Sequence, residues 1–242
     1  LDFDAAGVET LDLNVTAGAH AVNLAGLGPT SGSSTVNLTG GVDGAALTLT
    51  NLDSAVNTVD AVGFRGDLTV TGTANVDTIT GGLGDDTITG AGGVDVLSGG
   101  SGDQAFVFAG DSALFDSSNE LVDASIAGGE GTDSIRFAGG TSNTFTIAAA
   151  DSFDGVTGVE KIDVGAGTTG AINVTLGDDV FETGIAEIDL AGDDTTGGNN
   201  VIDVDAETSS EAGFEITGGS GQDTITGGAG DDVIDTGAGV GI

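Results

Sequence analysis

Asp77, Asp86 and Asp95 stand nine residues apart, and Asp223 and Asp232 repeat that interval further along the chain. Each is followed two residues later by an apolar side chain: Ile79, Ile88, Leu97, Ile225 and Ile234. Gly84, Gly93 and Gly102 stand two residues before Asp86, Asp95 and Gln104. A carboxylate offers only oxygen, as do the main-chain carbonyls of a glycine turn. Stacked turns gather such oxygens, and an all-oxygen cage suits a hard cation such as Ca²⁺, which takes six to eight oxygen ligands. The plainer alternative is an Asx turn, because aspartate favours turns. An Asx turn does not require one phase in turn after turn, and it leaves stacked carboxylates unscreened. Two charges 5 Å apart repel by under ~1 kcal/mol in water and by several times more at lower effective dielectric. A column of them calls for counter-ions, so several Ca²⁺ ions are expected.

The element that must hold these aspartates is short. The unit G-G-x-G-x-D-x-U-x, with U apolar, suits a six-residue turn followed by a three-residue strand. Successive glycines let the backbone turn within a few atoms. In a strand such as "TIT" the middle residue points one way and its neighbours the other. Ile79, Ile88, Leu97 and Phe106 are expected to face inward as a column, with β-branched threonines outside. The array runs from Asn75 to Phe108 and returns at Gly218–Asp235. A single unit at Gly128–Arg136 carries Asp133 and Ile135. Degenerate relatives carry Asp179 with Phe181, Asn200 with Ile202, and Asp194; Gly63–Thr71 keeps the strand and loses the aspartate. Glu9 and Glu160 replace the aspartate in "GVETLDL" and "GVEKIDV" and are expected to face solvent or pair with a neighbouring turn.

Leu11, Val22, Val36, Leu47, Val59 and Leu68 mark N-terminal rungs 9 to 14 residues apart. The expected fold is therefore all-β, a right-handed parallel β-solenoid or β-roll continuous over 1–242. Degenerate rungs fill 1–71, a repeat block 72–108, degenerate rungs 109–217 with an excursion or short helix near 110–128, and a second block 218–242. Short strands at regular spacing also fit a β-sandwich. The smooth passage into the nine-residue array, with Pro29 the only proline, favours the solenoid. The last residues, "TGAGVGI", lie within another glycine-rich repeat, so the chain is expected to be a piece of a longer one.

Composition narrows the function. There are 39 acidic residues, 3 basic ones and one histidine in 242, a formal charge of -36, with a mean hydropathy of +0.20. Such a chain lacks the basic footprint of a nucleic-acid binder and is repelled by anionic membrane surfaces. No apolar run approaches the ~20 residues of a membrane span. Without cysteine there is no disulfide, and a metal is the obvious substitute for that staple. Gln104 is neutral, but its carbonyl can still ligate, and Asp103 beside it can swing in. His20 falls where a turn aspartate would be; a lone histidine is poor evidence for zinc, so it is expected to be exposed. The glycine turns lack the Lys-Ser/Thr of a phosphate loop. No H-E-x-x-H or G-x-S-x-G is present, and the paired aspartates at Asp85, Asp178, Asp193 and Asp231 belong to the repeat. The chain is not expected to be an enzyme.

The units "GGLGDDTIT", "GGSGQDTIT" and "GGAGDDVID" resemble RTX calcium-binding β-roll repeats, over about a quarter of the chain. The remainder, poor in lysine and with a recurrent "GVE-x-[LI]-D", is similar in style to alphaproteobacterial (Caulobacter-type) RTX surface-layer proteins and to large RTX adhesins. The resemblance implies ligation by loop carbonyls as well as aspartates. That places the main chain around Gly82, Gly84, Gly100, Gly102, Gly219, Gly221, Gly228 and Gly230 with Asp77, Asp86, Asp95, Asp103, Asp133, Asp179, Asp223 and Asp232. It also implies type I secretion through an uncleaved C-terminal signal, folding where calcium is plentiful, and a place on the bacterial cell surface. The preferred function is structural: a calcium-dependent surface layer, sheath or filament. Its partners are then copies of itself, with cell-surface polysaccharide held by regions outside this chain. An RTX adhesin, or the calcium-folding secretion tail of an enzyme, are the alternatives.

Overall fold

The structure, a computed structural model, describes residues 8–25, 33–138, 145–168, 170–177, 180, 183–193, 199–204 and 213–238. The chain forms two compact units, Leu1–Val107 with Val122–Asp133, and Phe108–Leu121 with Ser134–Ile242.

The first unit is built from two parallel sheets fed alternately. One contains β1 (Thr10–Val15), β3 (Ser34–Gly40), β5 (Val56–Phe64), β7 (Thr78–Thr80), β9 (Val96–Ser101) and β11 (Ser125–Glu130). The other contains β2 (Ala19–Asn23), β4 (Ala46–Thr50), β6 (Asp67–Thr71), β8 (Thr87–Thr89) and β10 (Ala105–Phe108). Every strand pairs in parallel with the strand two places on, which is the wiring of a β-solenoid. One coil is therefore two nonapeptides: Ile79 pairs with Leu97, and Ile88 with Phe106. The nine-residue spacing is the spacing of strands around a coil, and the stacking interval is |i−j| = 18. Asp86 consequently lies on the opposite flank from Asp77 and Asp95, a correction to any picture in which all three stack.

All four repeat residues face inward as expected, but in two columns, one per sheet, instead of one. Ile79, Ile88, Leu97 and Phe106 are fully buried, while the flanking threonines are half-buried or exposed. Each buried aliphatic or phenyl side chain contributes roughly 1.5–3 kcal/mol. The rung markers need two changes. Leu11, Val36 and Val59 share one column that runs on to Ile79. In the other sheet the column is Val22, Leu49, Val70, Ile88, Phe106; Leu47 and Leu68 stand two residues earlier. His20 lies within β2, in register with Leu47 rather than in a turn, and is exposed.

In the second unit, residues 111–114 form a single helical turn, α1 (Asp111–Leu114). One parallel sheet contains β12 (Ser134–Phe137), β15 (Lys161–Val164), β17 (Glu187–Asp189), β19 (Glu215–Thr217) and β21 (Val233–Asp235). The other contains β13 (Phe145–Ile147), β16 (Ile172–Thr175), β18 (Val201–Asp203) and β20 (Thr224–Thr226), and the short β14 (Val156–Thr157) precedes β15. Ile135, Ile162, Ile188, Ile202 and Ile216 are buried. Ile225 and Ile234 are in register with Ile202 and Ile216 but are not enclosed, and Ile234 is 45% exposed. Among the described residues no further strand stacks beyond β20 and β21, so these isoleucines are covered from one side only. No helix among the described residues is long and apolar enough to cross a membrane.

Candidate metal centre

Glycine fixes how closely coils approach. Gly66, Gly84, Gly102 and Gly131 form a column at one corner, and Gly82, Gly100 and Gly129 a second. A Cβ on Gly84 would lie 2.5 Å from Gly66 O, and one on Gly102 2.5 Å from Gly84 O. Gly102 also has φ of +103°, which L side chains rarely adopt. Gly102→Ala is expected to lose about 1–3 kcal/mol in a urea melt in calcium. Gly92→Ala, whose Cβ would meet only Ala74 Cα at 3.7 Å, should be close to neutral in the same melt.

These close contacts put each aspartate within reach of the neighbouring coil's backbone. On one flank, Asp95 Oδ1 accepts the Asp77 N–H at 2.8 Å, and Asp123 Oδ1 accepts the Asp95 N–H at 3.2 Å. On the other, Asp86 Oδ1 accepts the Leu68 N–H (2.7 Å), Gln104 Oε1 the Asp86 N–H (2.8 Å) and Asp133 Oδ1 the Gln104 N–H (2.8 Å). All of these side chains are buried. The second carboxylate oxygen turns back into its own loop: Asp77 Oδ2 accepts the Thr73 N–H, and Asp86 Oδ2 the Gly82 N–H. Asp123 is the residue that sequence reading missed. It follows a valine, as Asp77 and Asp95 do, but its apolar partner Ile126 comes three residues later instead of two.

A second ladder runs outside the first and in the opposite sense. Asp67 Oδ1 accepts the Asp85 N–H (3.1 Å), Asp85 Oδ1 the Asp103 N–H (2.8 Å) and Asp103 Oδ1 the Thr132 N–H (2.8 Å). Asp103 is thus exposed and committed to Thr132; it does not swing in beside Gln104. In the pair Asp85–Asp86, one carboxylate holds the following coil and the other the preceding one.

The second unit has a ladder of the same kind through Asn200 and Asp223. Asn200 Oδ1 accepts the Ile172 N–H (2.9 Å), and Asp223 Oδ1 the Asn200 N–H (3.3 Å). Asp232, half-buried, accepts the Phe214 N–H at 2.9 Å. Gly219 packs against Asp193 and Asn200, Gly230 has φ of +131°, and Gly221 and Gly228 are half-buried. Glu9 is exposed and Glu160 half-buried. Asp178, Asp179, Phe181 and Asp194 lie outside the described residues.

The electrostatics are one-sided. Residues 66–135 contain twelve acids and no lysine, arginine or histidine. Burial pushes the carboxyls of Asp86, Asp95 and Asp123 up to about 6. Backbone donors oppose the rise at all three; Asp67 and Asp85 reinforce it at Asp86, as Asp123 and Asp77 do at Asp95. Burial raises Asp77 as well. The three basic residues make their ion pairs with acids outside these ladders: Arg136 with Asp163 (2.6 Å), Lys161 with Glu187 (2.9 Å) and Asp189 (2.8 Å), and Arg65 with Asp43 at 4.0 Å.

An oxygen-seeking cation fits this donor set. Among the described residues no three carboxylate or imidazole groups converge, so an ion must complete its shell with main-chain carbonyls. Such carbonyls do meet at the ladder position: Gly84 O and Ser101 O both lie within 3.2 Å of Gln104 Nε2. At Asp223 the buried Oδ2 accepts no hydrogen bond, an orphan acceptor that a cation would satisfy. Residues 71–103 and 215–242 match the RTX calcium-binding nonapeptide repeat, in four copies. These two blocks are RTX repeats. No curated protein and no solved structure matches the chain. RTX repeats bind calcium as a family property, and proteins bearing them are typically secreted by type I systems. The RTX blocks take in Asp77, Asp86, Asp95, Asp223 and Asp232; Asp123 and Asp133 extend the first block's ladders beyond the match.

Proposed function

We propose that the chain is a calcium-dependent extracellular structural protein that builds a surface layer, sheath or filament on a bacterial cell, and that it is not an enzyme. The observation that carries the reading is the stack of buried carboxylates at single-coil spacing with no basic residue in the same stretch. Strands one coil apart are about 4.8 Å from each other. At that separation two carboxylates repel by roughly 0.9 kcal/mol in water and ~3.5 kcal/mol at an effective dielectric of 20. A hydrogen bond to a charged group returns about 1.5–3 kcal/mol. The ladder on its own is near balance, and a divalent ion between rungs tips it towards the folded coil.

Asp77, Asp86, Asp95, Asp123, Asp133, Asp223 and Asp232, with carbonyls of the glycine turns, would hold the ions. What calcium supplies there is charge neutralisation and a fixed coordination shell. The chain's own residues set the coil spacing, present the oxygens and keep the strands in register. The flanks of such a solenoid are acidic, so two copies approach only across cations. At matched ionic strength, electron microscopy of the full-length protein should show ordered sheets or filaments in CaCl₂ and none in NaCl with EDTA. Equal order in the two salts would show that simple screening, and not bridging by calcium, drives assembly.

A further inference from the structure

Gln104 and Asn200 interrupt the aspartate ladders, one in each unit, and they use their amides alike. The oxygen keeps the ladder: Gln104 Oε1 accepts the Asp86 N–H at 2.8 Å, and Asn200 Oδ1 accepts the Ile172 N–H at 2.9 Å. The nitrogen does what no carboxylate can, which is donate. Gln104 Nε2 donates to Ser101 O (2.9 Å) and Gly84 O (3.2 Å), and Asn200 Nδ2 donates to Asp193 Oδ2 (3.0 Å). Both side chains are fully buried, at 1% and 0% exposure, and Asp193 is 1% exposed. The electropositive end of each amide therefore lies against oxygens of the type that a cation would take, two carbonyls at Gln104 and a carboxylate at Asn200.

We infer that Gln104 and Asn200 are built-in substitutes for the bound ion, so that their rungs close without calcium while the aspartate rungs on either side require it. The inference rests on the calcium reading proposed above. It turns a departure from the repeat into a function: the two amides are fixed points from which ion-dependent coils extend. Replacing either amide with a carboxylate removes the internal donor, exposes the carbonyl or carboxylate oxygens it satisfied, and creates a seat for one more ion.

The test counts ions and watches the free chain. Calcium bound by the full chain is measured by equilibrium dialysis for the wild type, Gln104→Asp, Asn200→Asp and the length-preserving Gln104→Glu. Each variant is expected to bind one ion more than the wild type. Wild-type binding with no gain in any variant overturns this inference alone. No binding by wild type or variants overturns the calcium reading and this inference with it. Hydrogen exchange of the wild type in EDTA gives a measurement that needs no variant. The Asp86 amide, held by Gln104, should exchange at least tenfold more slowly than the Asp77 amide, held by Asp95. Equal exchange at the two amides, protected or not, overturns the inference.

Discussion

In EDTA at neutral pH the chain should lose most of its far-ultraviolet β signal, and millimolar CaCl₂ should restore it with a cooperative melt. The chain carries a charge of -36, has no disulfide, and buries carboxylates at one-coil intervals. An ion that binds only the folded state stabilises it by about 2.7 kcal/mol per site at 100-fold excess over Kd. A few sites therefore reach the ~5–15 kcal/mol that is the whole stability of an ordinary domain. The rungs closed by Gln104 and Asn200 should hold local structure without calcium, but not the complete fold. Circular dichroism and a thermal melt decide the matter: a spectrum and midpoint unchanged by chelation would remove calcium from the account of folding.

Acid should partly replace calcium. Asp86, Asp95 and Asp123 titrate near 6 in the folded chain because burial disfavours their charged form, against about 3.9 in an unfolded one. Between those values the folded state binds more protons than the unfolded state. Stability of the calcium-free chain then falls as pH rises from about 4 to 6 and stays low above that. Three carboxyls, each worth roughly 1–2 kcal/mol after allowance for relaxation, amount to ~3–6 kcal/mol. With calcium the sign reverses, because the ion needs the carboxylates deprotonated. Urea melts from pH 4.5 to 7.5 should give two curves that lie close together at the acid end and diverge as pH rises, calcium-free stability falling and calcium-bound stability rising. Parallel curves would mean that these acids are not the groups that bind the ion.

The periodicity made the strands, the inward-facing residues and the glycine turns legible, because each depends on one residue type in one phase. It did not reveal the coil. Pairing at 9 and at 18 residues satisfies the same repeat, and only the backbone decides that Ile79 stacks on Leu97 and not on Ile88. The difference between flanks rests on the single residue before the ladder position: Val76 and Val94 on one side, Asp67, Asp85 and Asp103 on the other. Asp103 neighbours Gln104 in sequence, yet its carboxylate belongs to the outer ladder. Asp123 escaped because one extra residue separates it from Ile126. Burial at Ile225 and Ile234 was expected from phase alone, but phase gives the direction of a side chain and not what covers it.

The two ladders of opposite sense in the first unit have a mechanical consequence. Asp86 grips backward to Leu68 while Asp67 grips forward to Asp85, and Gln104 grips backward to Asp86 while Asp85 grips forward to Asp103, so these two junctions are latched from both sides. A load along the stacking direction of this unit passes through its junctions in series, so the unit is as strong as its least-latched junction. Coils of this kind are expected to yield one at a time, as in a quasi-one-dimensional array, and within the strict repeat each release would let out 18 residues of slack. An ion held at the aspartate rungs would tighten those latches and leave the Gln104 rung as it is. Within the first unit, the stiffness of the stacked coils would then follow the ion content of the water around them.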